Sequence, residues 1–223
     1  LWLCYFALRL FKMPAQRRLI HLGVILFMTA CLVAASMFEA DTIKLSEHHI
    51  HSPEVEKPVR IALLADLHLG AGSSIKRLQN IVGQVNAQEP DIIILAGDTL
   101  DHRPDLLSEH ADVLSQLIAS HGVYAVLGNH EYGAGLPGSL EFFQQAGIPL
   151  LRNSSIYFED LNVRVAGMDD AHANWSMWQR YMATTMAQAR QEEYVILGAH
   201  RPRWFEELAV PAGTDLMLSG HTH

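Results

Sequence analysis

The fold turns on DIIILAGDTLD, residues Asp91–Asp101. Ile92 to Ala96 are five apolar residues in a row, three of them β-branched, with no polar alternation. A strand with one wet face alternates, whereas one covered on both faces reads as a continuous apolar run. Gly97 ends the run, and two carboxylates, Asp98 and Asp101, follow at once. The segment therefore predicts a buried strand over Asp91–Ala96 with acidic groups delivered at its carboxyl end.

The same figure recurs along the chain. Apolar runs of strand length occupy Arg60–Ala65, Val123–Leu127, Val163–Met168, Tyr194–Leu197 and Asp215–Leu218. Ser74–Val85, Leu106–Ser120 and Leu136–Ala146 carry a helical period between the early ones. Strands alternating with helices imply an α/β domain with a largely parallel sheet. IYFEDLNVRVAGM, Ile156–Met168, reads as two strands across a tight turn, which makes the sheet mixed. IKLSEHHI, Ile43–Ile50, alternates in part and predicts a first strand ahead of a turn around Pro53 and Pro58. At 223 residues the chain can hold one sizeable domain and an appendage.

The appendage is apolar. Leu19–Phe38 carries no formal charge over about twenty residues, the length that crosses a bilayer. Arg9, Lys12, Arg17 and Arg18 precede it, and Glu39 and Asp41 follow. Residues 1–44 sum to +3 within a net charge of −8, leaving −11 for the remainder. Cations stay on the cytoplasmic side, so residues from 41 onward are expected outside the cytoplasm, on a membrane-anchored protein. LWLCYFALRLF, residues 1–11, reads as the tail of an earlier apolar segment in a protein that starts further upstream. The expected division is a membrane part over 1–40, with a helix at about 19–38, and a domain over 41–223. The acidic balance argues against a nucleic-acid surface, and nothing in the sequence implies a protein partner. Both cysteines, Cys4 and Cys31, lie in the apolar stretches, so no disulfide framework reports the redox compartment.

Polar residues gather at the strand ends. The runs finish in Asp66 and His68, in Asp98 and Asp101, in Asn129 and His130, in His200, and in His221 and His223. In open α/β sheets ligands bind beyond the carboxyl ends of the strands. One Asp there is usually a cap or turn residue, and one His usually a satisfied polar group. Five such clusters at equivalent positions are a set of carboxylate, imidazole and amide ligands for divalent cations. They are too many for one tetrahedral ion.

The blocks D-L-H, G-D-T-L-D, G-N-H-E, G-A-H and G-H-T-H, in this order over about residues 60–223, resemble the calcineurin-like metallophosphoesterase superfamily. That resemblance implies a β-sandwich of two mixed sheets flanked by helices and a centre of two metal ions, with Mn, Fe or Zn all compatible. Carried over, Asp66, His68 and His223 would hold one metal, and Asn129, His200 and His221 the other, with Asp98 bridging them. His130 would be the general acid, oriented by Asp101, and Glu131 would support the loop. Family members continue past the last motif, so the resemblance implies further C-terminal strands beyond His223. Two metals of this kind activate a water to attack phosphorus in line and offset charge on the transition state.

Departures from the family pattern narrow the branch. His102 stands where the protein phosphatases of the superfamily have an arginine, which counts against a protein phosphatase. The apolar span and Met168-Asp169-Asp170 resemble a membrane-anchored bacterial branch that includes transmembrane metallophosphoesterases and relatives of UDP-2,3-diacylglucosamine pyrophosphatase. The expected substrate is a phosphomonoester, phosphodiester or pyrophosphate, with lipid-linked and nucleotide-sugar esters in view. Trp175, Met177 and Trp178 read either as an apolar lip for acyl chains or as the packed face of a helix. The rival is a non-catalytic metal-binding scaffold or sensor at the membrane, with His48, His49 and His51 as further metal-capture candidates; an intact His130 favours the enzyme.

Overall fold

The computed structural model describes residues 14–170 and 174–222. It divides into two units, Leu1–His48 and His49–His223. In the first, Pro14 leads into helix α1, Ala15–Asp41. Leu, Ile, Met and Ala dominate α1 and nothing inside it breaks the helix. Its segment Gln16–Ser36, 21 residues, is long and apolar enough to cross a membrane. The upstream stretch 1–11 lies outside the described residues.

Residues 42–50 form no strand, contrary to the expectation for Ile43–Ile50. Partial alternation is not enough: a strand needs a neighbour to accept its backbone groups. Leu45 and Ile50 are exposed instead.

The second unit holds two sheets. Strands β1 (Ile61–Leu64), β2 (Ile92–Ala96) and β3 (Val123–Val126) pair in parallel in the order β1-β2-β3. Strands β4 (Ser154–Phe158), β5 (Val163–Met168), β6 (Tyr194–Ala199) and β7 (Leu216–Leu218) form a mixed sheet in sequence order, antiparallel only between β4 and β5. Helices α2 (Ile75–Asn86), α3 (Ser108–Leu114) and α4 (Asn129–Gln145) accompany the first sheet, and α5 (Trp175–Thr185) the second. This is the α/β architecture of two sheets flanked by helices that the motifs imply, with the second sheet mixed.

The alternation of β2 explains its unbroken apolar run. Ile93 and Leu95 pack with Leu78, Val82, Leu114 and Phe143 under the helices. Ile92 and Ile94 point the other way and meet Val126, Val163, Val165 and Ile196 between the sheets. On β6, Val195, Leu197 and Ala199 turn instead to Trp178 and Met182 of α5. Ile94→Ala is expected to destabilise the domain by about 2–5 kcal/mol, because close-packed sheets relax only partly into the void. Urea unfolding monitored by circular dichroism checks this.

Two helices differ from their expected bounds. α3 stops at Leu114, and the chain turns through residues 115–120. α4 starts at Asn129, seven residues before the expected Leu136, and kinks at Gly135, whose φ is 108° and ψ 104°. The early start has a cause: the Glu131 carboxylate accepts the Gly128 N–H at 2.7 Å and so caps the first turn. Asn129 and His130 thereby stand at a helix start and not on a free loop.

Candidate metal centre

The loops after β1, β2, β3, β6 and β7 bring the described residues of the expected set, Asp66 to His221, to one rim. The loops after β1 and β2 run side by side: Asp66 N–H donates to Gly97 O (3.2 Å) and His68 N–H to Asp98 O (3.0 Å). Glu131 is fully buried and clamps the loop after β2 to the loop after β3, accepting the N–H groups of Asp98 (3.0 Å), Leu100 (2.9 Å) and Gly128 (2.7 Å). That is the loop-supporting part expected of it. Burial pushes its carboxyl up, the Leu100 and Gly128 N–H bonds oppose this, and the Asp98 charge adds to it.

Asp98 lies at the centre, 1% exposed. Its Oδ1 accepts the His130 N–H at 2.8 Å, and its Oδ2 is 3.1 Å from His200 Nε2 and 3.9 Å from His130 Nε2. Burial works against its charge, but His200 and His130 outweigh it and hold the carboxyl below the usual range. Two groups of potential ligand atoms, each within 4.8 Å of one another, share this carboxylate: His68, Asp98 and His130, and Asp98, His200 and His221.

Each imidazole is aimed by its other contacts. His200 Nδ1 donates to Ala96 O at 2.9 Å, leaving Nε2 to face Asp98. That Nε2 is buried and lies off the hydrogen-bond axis of Asp98 despite the 3.1 Å separation, so it has no aligned partner. Burial disfavours a charged His200, yet Asp98 and the Ala96 carbonyl raise its pKa on balance: positive charge is favoured there. An orphaned ring nitrogen beside a buried carboxylate is what a bound cation would satisfy, so this donor set fits a divalent metal. Burial, with the charges of His200 and Arg201, lowers the pKa of His221 and favours its neutral, ligating form.

The backbone is strained at the same places. Asp66 (φ 54°), His68 (φ 46°), Asp98 (φ 48°) and His221 (φ 70°) all adopt the left-handed conformation, four of the nine non-glycine residues that do so among the described ones. Such strain costs of order 1–3 kcal/mol per residue and clusters where function over-determines the geometry. Small neighbours make the approach possible. A Cβ on Gly220 would stand 2.5 Å from Asp66 Oδ2, and one on Gly128 would lie 2.5 Å from the Asp98 nitrogen.

Two expected ligands have other contacts, and a third lies outside the described residues. Asp66 is not in either ligand group; its two oxygens accept the His221 N–H at 3.1 and 2.9 Å. Asn129 Oδ1 accepts from Arg201 Nη2 at 3.1 Å. His223 lies outside the described residues.

Asp101 and His130 do meet: Asp101 Oδ1 is 2.8 Å from His130 Nδ1, and since an ionised carboxylate only accepts, Nδ1 is the donor. Asp101 Oδ2 lies 2.7 Å from His102 Nδ1. Burial opposes the Asp101 charge, but bonds from His102 and His130 hold its carboxyl below the ordinary range. The His130 side chain is 39% exposed.

Trp178 is 2% exposed and belongs to the core under β6, so it forms no lip. Trp175 is 40% exposed and lies edge-on to Trp204. The strand-end pattern does not single out Arg201, whose side chain touches both Asn129 and the buried Asp170. Its position directly after His200 was the available signal.

The sequence matches known proteins over this region. A profile of the calcineurin-like phosphoesterase family matches residues 59–223. A metallophosphoesterase of Aquifex aeolicus is 31% identical over 202 residues, covering 89% of this chain and 76% of its own. A transmembrane protein with a metallophosphoesterase domain from Danio rerio is 32% identical over 182 residues, covering 77% of this chain and 41% of its own. Among solved structures, the NAD nucleotidase of Haemophilus influenzae shares the fold, with a TM-score of 0.50 at 16% identity over 74% of this chain and 43% of that one. The chain thus spans about three quarters of the Aquifex relative and less than half of the Danio one.

Proposed function

This chain belongs to the calcineurin-like phosphoesterase family and is a metal-dependent phosphoester hydrolase, and from that premise we propose a centre of two divalent ions. Asp66, His68 and His223 would hold one ion, Asn129, His200 and His221 the other, and Asp98 would be shared by both. The observation that carries this reading is the buried Asp98 carboxylate, common to two separate groups of ligand atoms. Nitrogen and oxygen donors of this kind suit Mn²⁺, Fe²⁺ or Zn²⁺. When bound, such ions supply Lewis acidity to the phosphoryl oxygens and to an attacking water.

The chain's own residues do the rest. His130 gives the proton on Nε2 to the leaving oxygen, while Asp101 holds Nδ1 at 2.8 Å and supports the imidazolium. Glu131 fixes the two loops that carry Asp98 and His130 through its three backbone contacts. Hydrolysis of a chromogenic phosphodiester with Mn²⁺ added tests the reaction class. A folded, metal-loaded protein that turns over no monoester, diester or pyrophosphate would favour the scaffold reading instead.

The membrane part of the reading rests on α1 and on the charges around it. We take α1 as a span and the following domain as extracytoplasmic, which suits an amphiphilic, lipid-linked phosphoester as substrate. Arg17 and Arg18 precede the apolar stretch, and no Lys or Arg occurs between Phe38 and Lys44. An alkaline phosphatase fusion after Lys57 is expected to be active in a bacterial host, and a β-galactosidase fusion there inactive. The opposite pattern would move the domain to the cytoplasm.

A further inference from the structure

Asp170 follows β5 directly and is 1% exposed, yet neither of its carboxylate oxygens has an aligned hydrogen bond. Its ion-pair partner is Arg201, whose Nε lies 2.9 Å from Asp170 Oδ2 but off the hydrogen-bond axis. The Arg201 side chain is only 15% exposed. Its Nη2 reaches Asn129 Oδ1 at 3.1 Å, and Nη1 takes no hydrogen bond among the described residues. The backbone beside it is held firmly: His200 is anchored by its Nδ1 bond to Ala96, and His200 O accepts the Gly220 N–H at 3.0 Å.

A guanidinium in this position needs a reason. It lies beside His221 and Asn129, where its positive charge opposes any cation held by those ligands. The buried Asp170 carboxylate stands 2.9 Å from Arg201 Nε and offsets the desolvation of Arg201, but it faces only one side of the planar fork. The remaining donors are matched to a planar or tetrahedral oxyanion, which arginine binds through two parallel hydrogen bonds. In a phosphoester hydrolase the anion that arrives at this rim is the phosphoryl group.

We propose that Arg201 is a phosphate-recognition residue of this enzyme, donating to a non-bridging oxygen of the substrate, and that Asp170 is the positioning residue behind it. The proposal rests on the reading of the metal centre given above. It gives the Asp169-Asp170 pair after β5 a divided use: Asp169 is paired with Arg152 at 2.8 Å and with Tyr132 at 3.1 Å, whereas Asp170 serves the site.

Calorimetric titration of the metal-loaded protein with inorganic phosphate, beside elemental analysis, tests it. Arg201→Met is expected to keep the wild-type metal content and to weaken phosphate binding roughly 10- to 100-fold, the range of a lost hydrogen bond to a charged group. Arg201→Lys, which keeps the charge but not the fork, is expected to fall between, and guanidinium ion to restore part of the binding in Arg201→Met. Asp170→Asn should weaken phosphate less, and the double variant should be no worse than Arg201→Met alone, since both act through one group. Unchanged phosphate affinity in Arg201→Met and Arg201→Lys overturns the proposal while leaving the metal centre intact. Loss of metal in both variants also overturns it, because Arg201 would then serve only to orient Asn129. A wild-type protein that retains no metal would overturn the underlying reading of the centre instead.

Discussion

Asp98→Ala is expected to abolish phosphoester hydrolysis and to lower the metal content to one ion per chain or fewer. Two dications at the usual two-metal spacing of about 4 Å repel by roughly 17 kcal/mol at an effective dielectric of about 20. A single carboxylate shared between them is the group best placed to offset that, and Asp98 is the acid common to both ligand groups. The substitution also removes the acceptor for the His130 N–H and the anion facing His200 Nε2. Leaving the His130 N–H unpaired costs about 1–3 kcal/mol, so the melting temperature should fall as well. The control is Asp91→Ala, at the other end of β2. Asp91 accepts the Arg60 N–H at 2.8 Å and the Ser120 hydroxyl at 3.0 Å, so this variant also loses stability. Its metal content should nevertheless equal that of the wild type. Two tightly held ions in Asp98→Ala, counted by elemental analysis, would remove the bridging role.

The parts of the fold that were legible in the sequence are those whose physics is local. Ile92–Ala96 and Val163–Met168 are buried on both faces, so composition alone marks them, although the first was expected from Asp91. Asp66, His68, Asp98, Asp101, Asn129, His130, His200 and His221 could be collected because each follows such a run. Non-local effects were hidden. Gly133 and Gly135 lie ahead of the helical period read at Leu136–Ala146, yet α4 begins before them because Glu131 binds backbone groups some thirty residues away on the loop after β2. Ile43–Ile50 had partial alternation but no partner strand, which the pattern of one segment cannot reveal. Arg201 has the look of a solvated loop residue until its burial against Asp170 is seen. The rule is physical: periodicity reports what each segment buries, while the pairing of charges across loops is set by tertiary structure.

His130→Asn separates the two uses open to this imidazole, which lies in a ligand group with His68 and Asp98 and also pairs with Asp101. As a general acid, its loss should leave the metal content unchanged and lower kcat by roughly 10²–10⁴-fold, the usual contribution of a positioned proton donor. The size of the loss should depend on the leaving group. An aryl ester departs as a weakly basic phenolate that hardly needs a proton, so the variant should be far less impaired on it than on an alkyl ester. Asp101→Asn should show the same leaving-group pattern more weakly, because it keeps the ring in place but removes the charge that supports the imidazolium. A phosphate-binding role would instead depress both esters alike and raise KM. Equal losses on aryl and alkyl esters therefore reject the acid while sparing the metal centre. Loss of metal from His130→Asn would make His130 a ligand, and Asp101 would then be the carboxylate that orients a metal-bound ring.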